Sequence, residues 1–175
     1  MEAKSAELPP GVEFSIIRVL NAPRERVFKA WSEAEQLGQW WGAKGSGIRI
    51  INLDFRAGGG FHYAMQLPNG SEIWGKFTYE EIQPPERIVF ISSFADAEGN
   101  TIRNPFSAAW PLQVRNTLTL TESAGTTTLN LRGGPHQASD AEQKMFAFAH
   151  PAMQMGFGGT FDQLDAWLTR AAKPG

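Results

Sequence analysis

The stretch Ser139–Arg170 constrains this chain most, because it reads as one long helix, kinked or interrupted, with a single apolar stripe. At about 100° per residue, Phe146, Met153, Phe161, Leu164 and Leu168 fall within about 40° of Phe157. Ser139 suits the N-cap, and Glu142 stands where a capping box needs it. Pro151 removes a backbone donor and is expected to kink or break the helix, at about 3 kcal/mol in a helix interior. Gly156, Gly158 and Gly159 each cost about 1 kcal/mol there relative to alanine. Such a helix persists only if a large apolar surface covers its stripe.

The rest of the chain supplies that surface. Apolar residues alternate over 12–20, 47–55, 61–67, 73–82, 88–94, 113–121 and 126–132, which predicts seven strands. Pro68-Asn69-Gly70-Ser71, Pro84-Pro85-Glu86 and Glu122-Ser123-Ala124-Gly125 are turn signals at hairpin spacing. After the first strand, Pro23 opens an expected helix with Val27, Phe28 and Trp31 on one face. A shorter helix, Glu33–Trp41, is stopped by Gly42. Strands grouped in sequence, with helices segregated from them, mean α+β with an antiparallel sheet. The expected architecture is a seven-stranded antiparallel sheet curled around the C-terminal helix, with two short helices after strand one closing an end. Residues 1–11 read as a flexible tail, and 12–172 as one domain. The segment Ala97–Leu112 fits neither period. Its Pro105, Phe106, Trp110 and Pro111 point to a packed flap; the other reading is an Ω-loop that seals an edge.

Composition removes whole classes of function. The 175 residues contain no cysteine, so disulfides, thiolate metal sites and a cysteine nucleophile are excluded together. The formal charge is −2 with acids and bases interspersed, and no basic face for nucleic acid is visible. No apolar run is long enough to insert into a membrane, and the polar first ten residues lack a signal-peptide core, so a cytoplasmic location is expected.

Catalytic motifs are equally sparse. There is no G-x-S-x-G, P-loop or H-E-x-x-H. Gly156-Phe157-Gly158-Gly159 follows no strand, and Gly58-Gly59-Gly60 precedes no helix, so neither reads as a nucleotide cradle. His62, His136 and His150 are far apart in sequence, and no metal or cofactor is expected. His62 alternates away from Phe61 and Tyr63, toward solvent. Asp162 and Asp165 fall on the helix's solvated side. If the helix continues through Pro151, His150 lies on the inner stripe. It is then either a hydrogen-bonded core or helix-end histidine, or a polar anchor or acid/base group in an apolar cavity, the sole catalytic candidate. If Leu118 and Leu120 face the core, so does Asn116, either toward a ligand or paired with backbone.

The main signal is a set of large apolar residues: Phe61, Tyr63, Met65, Trp74, Phe77, Phe90, Phe94, Met153, Phe157 and Phe161, with Trp110 above them on the flap. They form either a solid core or the lining of a cavity at the wide end of a strongly curved sheet. Large apolar side chains with few polar groups are the usual lining of small-molecule sites.

Asn21-Ala22-Pro23, Val27-Phe28-Lys29-Ala30-Trp31 and Leu37-Gly38-Gln39-Trp40-Trp41-Gly42 resemble the opening of the Aha-type family, the activator of heat-shock protein 90 ATPase homologues. That family lies within the START-like (SRPBCC, Bet v 1-like) superfamily. Asp54-Phe55-Arg56-Ala57-Gly58-Gly59, Gly75 before Phe77, Ile82-Gln83-Pro84-Pro85-Glu86-Arg87-Ile88-Val89-Phe90, Gly156-Phe157 and Asp162-Gln163-Leu164 extend the match from about Phe14 to Leu168. The resemblance implies a helix-grip fold with a hydrophobic cavity between sheet and helix. The family motifs are mostly structural and carry over no catalytic residue. The eukaryotic co-chaperone also has a separate N-terminal chaperone-binding domain, which the residues ahead of the first strand do not match.

Three functions follow as expectations. The first is binding of a small hydrophobic or aromatic molecule. The second is cyclase, dehydratase or hydrolase chemistry in the same cavity, with His150, Tyr63 or Asn116 as polar participants. The third is a co-chaperone-like interaction module. Either a monomer or a homodimer fits.

Overall fold

In the computed structural model, which describes residues 8–43 and 45–172, every expected strand is present. The elements are β1 (Phe14–Leu20), α1 (Arg24–Ser32), α2 (Ala34–Trp40), β2 (Gly47–Leu53), β3 (Gly60–Gln66), β4 (Glu72–Gln83), β5 (Arg87–Ala95), β6 (Thr101–Ile102), β7 (Val114–Ser123), β8 (Thr126–Pro135), α3 (Asp140–Phe148) and α4 (His150–Ala172). The sheet runs β1-β8-β7-β5-β4-β3-β2, antiparallel throughout, with β6 added against β5. It curls around α4, as the alternation requires: Phe14, Ile16, Leu20, Leu118, Leu120, Leu129 and Leu131 are all buried.

The eighth strand is a small departure from expectation. The Asp96 carboxylate accepts from the backbone N–H of Glu98 and Asn100 (3.0 and 2.8 Å), and Gly99 has φ +90°. This tight turn returns Thr101 and Ile102 to pair with Ala95 and Phe94. Two residues are too few to show a period.

The C-terminal helix is two helices. α3 ends at Phe148, Ala149 caps it, and α4 restarts at His150. Pro151 therefore sits in the first turn of α4, where a missing N–H costs little. Both halves of the expected capping box form, with Ser139 N donating to Glu142 Oε1 (2.9 Å) and Glu142 N to Ser139 Oγ (3.2 Å). The stripe survives the break. Phe146, Phe161, Leu164 and Leu168 are buried, at about 1.5–3 kcal/mol for each such side chain.

Three smaller expectations change. Pro23 is the N-cap of α1 rather than its first helical residue. Of the tail expected over 1–11, residues 1–7 lie outside the described residues, while Leu8 packs on the outer sheet face. A Cβ on Gly134 would come within 2.1 Å of its side chain. Asp162 and Asp165 are not simply solvated, because Arg18 of β1 reaches both.

Polar side chains on α4 fix its seat. Thr160 Oγ1 donates to Gly42 O (2.9 Å), and Gln163 Nε2 to Trp40 O and Gly42 O (3.0 and 2.9 Å). Arg26 of α1 donates to Leu168 O (2.9 Å). The turn after α2 is thereby tied to the middle of α4. Between this turn, the curved sheet and the α3–α4 junction the packing opens.

Candidate functional site

The opening is a cavity of about 450 Å³. Its floor comes from the pleat of β3, β4 and β5 that faces α4. Tyr63 and Met65 lie on β3, Gly75 and Phe77 on β4, and Phe90, Ser92 and Phe94 on β5. Trp74 borders it from the alternate pleat. Val114 and Asn116 of β7 and Leu131 of β8 continue the wall. Met153, Gly156, Phe157 and Thr160 of α4 form the roof, and Trp41 and Gly42 close one side. On the opposite side Trp110 and Pro111 of the 97–112 segment meet Phe146, with the Trp110 and Phe146 rings 5.4 Å apart. Only the end of that segment is a packed flap: Trp110 and Pro111 lie on the cavity, whereas Pro105 and Phe106, expected to pack with them, are exposed. Arg103 anchors it, donating to Trp110 O (3.4 Å) and pairing with Glu142 of α3.

Of the residues expected to line a cavity, Tyr63, Met65, Trp74, Phe77, Phe90, Phe94, Trp110, Asn116, Met153 and Phe157 do so. Three do not. Phe61 is sealed in the core behind Tyr63, stacked on it at 4.9 Å. Phe161 is fully buried against Trp31 of α1, 6.2 Å between rings. His150 is turned out of the cavity. The helix breaks just before it, so its direction no longer follows the continuous-helix phase. Its Nε2 lies 2.9 Å from Val12 O. A carbonyl only accepts, so this nitrogen carries the hydrogen. The ring packs between Phe14 and Phe146 (5.6 and 5.5 Å). His150 is therefore a structural histidine tying α4 to the chain ahead of β1. His62 is likewise not solvent-facing: half-buried, it donates from Nε2 to Asp96 O (3.0 Å).

Sequence reasoning missed Trp41, Ser92, Phe146 as a wall, and Thr160. The sequence places Trp41 only as the last residue of the second short helix. A tandem Trp-Trp at a helix end can bury only one ring inward, and here Trp40 is the buried one, donating from Nε1 to Ala30 O (2.9 Å).

The polar groups are few and mostly committed. Asn116 donates from Nδ2 to Ser92 Oγ (3.0 Å) and Val114 O (3.1 Å). Its oxygen lies over Gly133, where a Cβ would approach within 2.7 Å. Burial pushes the Tyr63 phenol above its ordinary pKa, against a smaller opposing pull from the nearby Trp41 N–H. The two groups do not meet in hydrogen-bond geometry, and Trp41 Nε1 is left without a partner. Among the described residues lining the cavity none carries a charge, and no three His, Cys, Asp or Glu side chains anywhere among the described residues converge as metal ligands.

A second depression, of about 970 Å³, lies on the outer sheet face beside Leu8–Gly11. Its Arg115 is taken by Glu80 (2.6 Å).

Residues 21–169 match the family model described as activator of Hsp90 ATPase homolog 1-like protein. The chain belongs to that family. No curated protein matches it in sequence. Among solved structures, a Mycobacterium smegmatis protein is similar at 25% identity and TM-score 0.73, covering 94% of both chains. An Arthrobacter aurescens protein reaches TM-score 0.77 at 23% identity, covering 97% of this chain and 95% of its own. A Silicibacter pomeroyi protein described as AHSA1 has TM-score 0.68 at 20% identity, covering 91% and 99%. The Hsp90-ATPase-activator homologue family thus supplies the helix-grip fold seen here, a mostly antiparallel sheet holding a long C-terminal helix. The Trp40-Trp41-Gly42 motif of this member is the turn that α4 clamps. Among the described residues no helix is long and apolar enough to cross a membrane.

Proposed function

We propose that this protein binds a small hydrophobic or aromatic molecule between its sheet and α4. The observation that carries the reading is the cavity itself. About 450 Å³ falls within the range that holds small organic ligands, and its walls are predominantly aromatic and aliphatic. Apolar walls that face water in an open pocket forgo the gain of burial, so an apolar molecule that covers them is favoured. Membership of a START-like family, commonly ligand-binding, supports the same reading.

The test uses the neutral fluorophore N-phenyl-1-naphthylamine. Titration is expected to give saturable one-to-one binding with Kd on the order of micromolar. Native mass spectrometry of freshly purified protein should show the same stoichiometry. A fluorescence response that rises linearly without saturation, with no adduct in the mass spectrum, would refute the reading.

A further inference from the structure

We infer that Gly156 is the gate of the cavity: a ligand passes between α4 at Gly156 and the turn at Ala43, and the missing side chain keeps that passage open. The inference rests on the cavity being a binding site and names the residue that decides how a ligand reaches it.

Exposure locates the mouth. Among the described residues lining the cavity, only Ala43 and Gly156 are exposed; the others are half-buried or buried. These two belong to one place. Thr160 Oγ1 donates to Gly42 O (2.9 Å), directly ahead of Ala43, and lies 3.1 Å from Gly156 O, so both carbonyls approach a single atom. The turn after α2 and the first half of α4 therefore meet at Thr160 and part about one helical turn away, at Gly156.

The direction of the absent side chain agrees. At about 100° per residue, Gly156 lies about 40° from Thr160 and about 60° from Met153, and both of those residues line the cavity. A Cβ at Gly156 would meet no atom within 4 Å. Gly75 and Gly133 differ, because a Cβ there would come within 2.4 and 2.7 Å of a neighbouring side chain. Gly156 also sits in regular helix without a positive φ, so neither packing nor backbone conformation requires a glycine. Helix propensity favours alanine there. Gly158 shows that an unpacked glycine alone does not make a gate. It too would meet nothing within 4 Å, but it falls on the other flank of Phe157 and does not line the cavity.

The flap side offers no comparable gap. Pro111 and Phe146 are buried, Trp110 is half-buried, and Arg103 ties the segment to Glu142. Loosening that tie adds a second exit without closing the one at Gly156. An open mouth lets a ligand exchange with solvent while the fold stays intact, whereas a molecule sealed in during folding needs no such gap.

Stopped-flow kinetics of N-phenyl-1-naphthylamine tests the gate in Gly156→Leu, Gly156→Ala and Gly158→Leu, each checked by circular dichroism. A side chain in a passage raises the barrier for entry and exit alike. Gly156→Leu should therefore lower the association and dissociation rate constants together, by about tenfold, and leave Kd within about threefold. Gly156→Ala should change either rate by less than about threefold, while better helix propensity raises the unfolding midpoint by about 2–4 °C. Gly158→Leu should leave both rates within about twofold. If Gly156→Leu does not fold, Ala43→Leu places the obstacle on the other lip and should slow both rates in the same way. Unchanged rates in the folded leucine variant overturn the gate, because the ligand then passes elsewhere. Faster dissociation at unchanged association also overturns it, because the side chain then competes with bound ligand inside the cavity. Equal slowing in Gly158→Leu overturns it as well, because stiffening of α4 rather than the mouth would be responsible. Each of these results leaves hydrophobic binding standing. No saturable binding by the unmodified protein overturns both this inference and the function it rests on.

Discussion

The hydroxyl of Tyr63 lies over the backbone of Gly75, its register partner on β4, so closely that a Cβ at Gly75 would stand 2.4 Å from the oxygen. The same relation recurs across the sheet, where Asn116 of β7 lies over Gly133 of β8, its own register partner. Each glycine removes a side chain so that a polar group opposite can lie flat against the sheet.

Gly75→Ala should therefore force the Tyr63 ring from its place. The expected cost is about 1–3 kcal/mol in urea unfolding, as for other overpacked sites. Adding Tyr63→Ala should relieve the clash, so the double variant costs less than the sum of the two singles by about 1 kcal/mol or more. Strict additivity would contradict the contact.

Asn116→Ala should destabilise by about 1–3 kcal/mol, because it strips the donor from Ser92 Oγ and Val114 O within a buried wall. Thermal and urea unfolding check it. A change below about 0.5 kcal/mol would mean that the network holds no net stabilisation.

His150→Ala separates structure from site. Loss of the hydrogen bond to Val12 O and of two ring contacts should cost about 1–3 kcal/mol in stability. Affinity for N-phenyl-1-naphthylamine should stay within about twofold, since His150 does not line the cavity. Unchanged stability with lost binding would reverse this assignment.

Glu142 gives the flap a pH dependence. The Ser139 N–H, followed by Arg103, holds its carboxyl below the ordinary value. Because the folded pKa is the lower one, the stabilisation is present above the unfolded value of about 4.3 and is lost as pH falls through the folded value. Glu142→Gln should thus be less stable than the unmodified protein at neutral pH, with the gap closing below about pH 4.3. Urea unfolding from pH 7 to pH 3 measures it, and a constant gap would count against the ion pair and cap.

Arg103→Ala should loosen the same flap from the other partner. Stopped-flow dissociation of N-phenyl-1-naphthylamine is expected to speed up by about two- to fivefold, since an exposed pair contributes only modestly. No change would mean that the ligand leaves by another route.

Much of this molecule was legible from local pattern. Alternation and hairpin turns specify the strands because each obeys a period set by backbone geometry, and the capping box marks the start of α3 for the same reason. The stripe from Phe146 to Leu168 announces a helical surface to be covered. Gly75 and Gly133 show in the sequence as glycines within strands, a pattern that signals close approach without saying of what. Trp41 is indistinguishable from Trp40 by composition, and only the turn at Gly42 decides which ring is buried and which faces the cavity.

What required the tertiary structure was direction and distance. A proline at position 151 is compatible with a kink or with a fresh start. The break at Ala149 chose the second, turned His150 toward Val12 and left Met153 and Phe157 as the roof. Whether inward aromatics fill a core or line a space depends on sheet curvature and on where α4 is clamped, and no residue states those quantities alone. Local sequence therefore determined which surfaces must be buried. Packing between distant strands and α4 decided how completely they are buried, and so left a predominantly apolar pocket between sheet and helix.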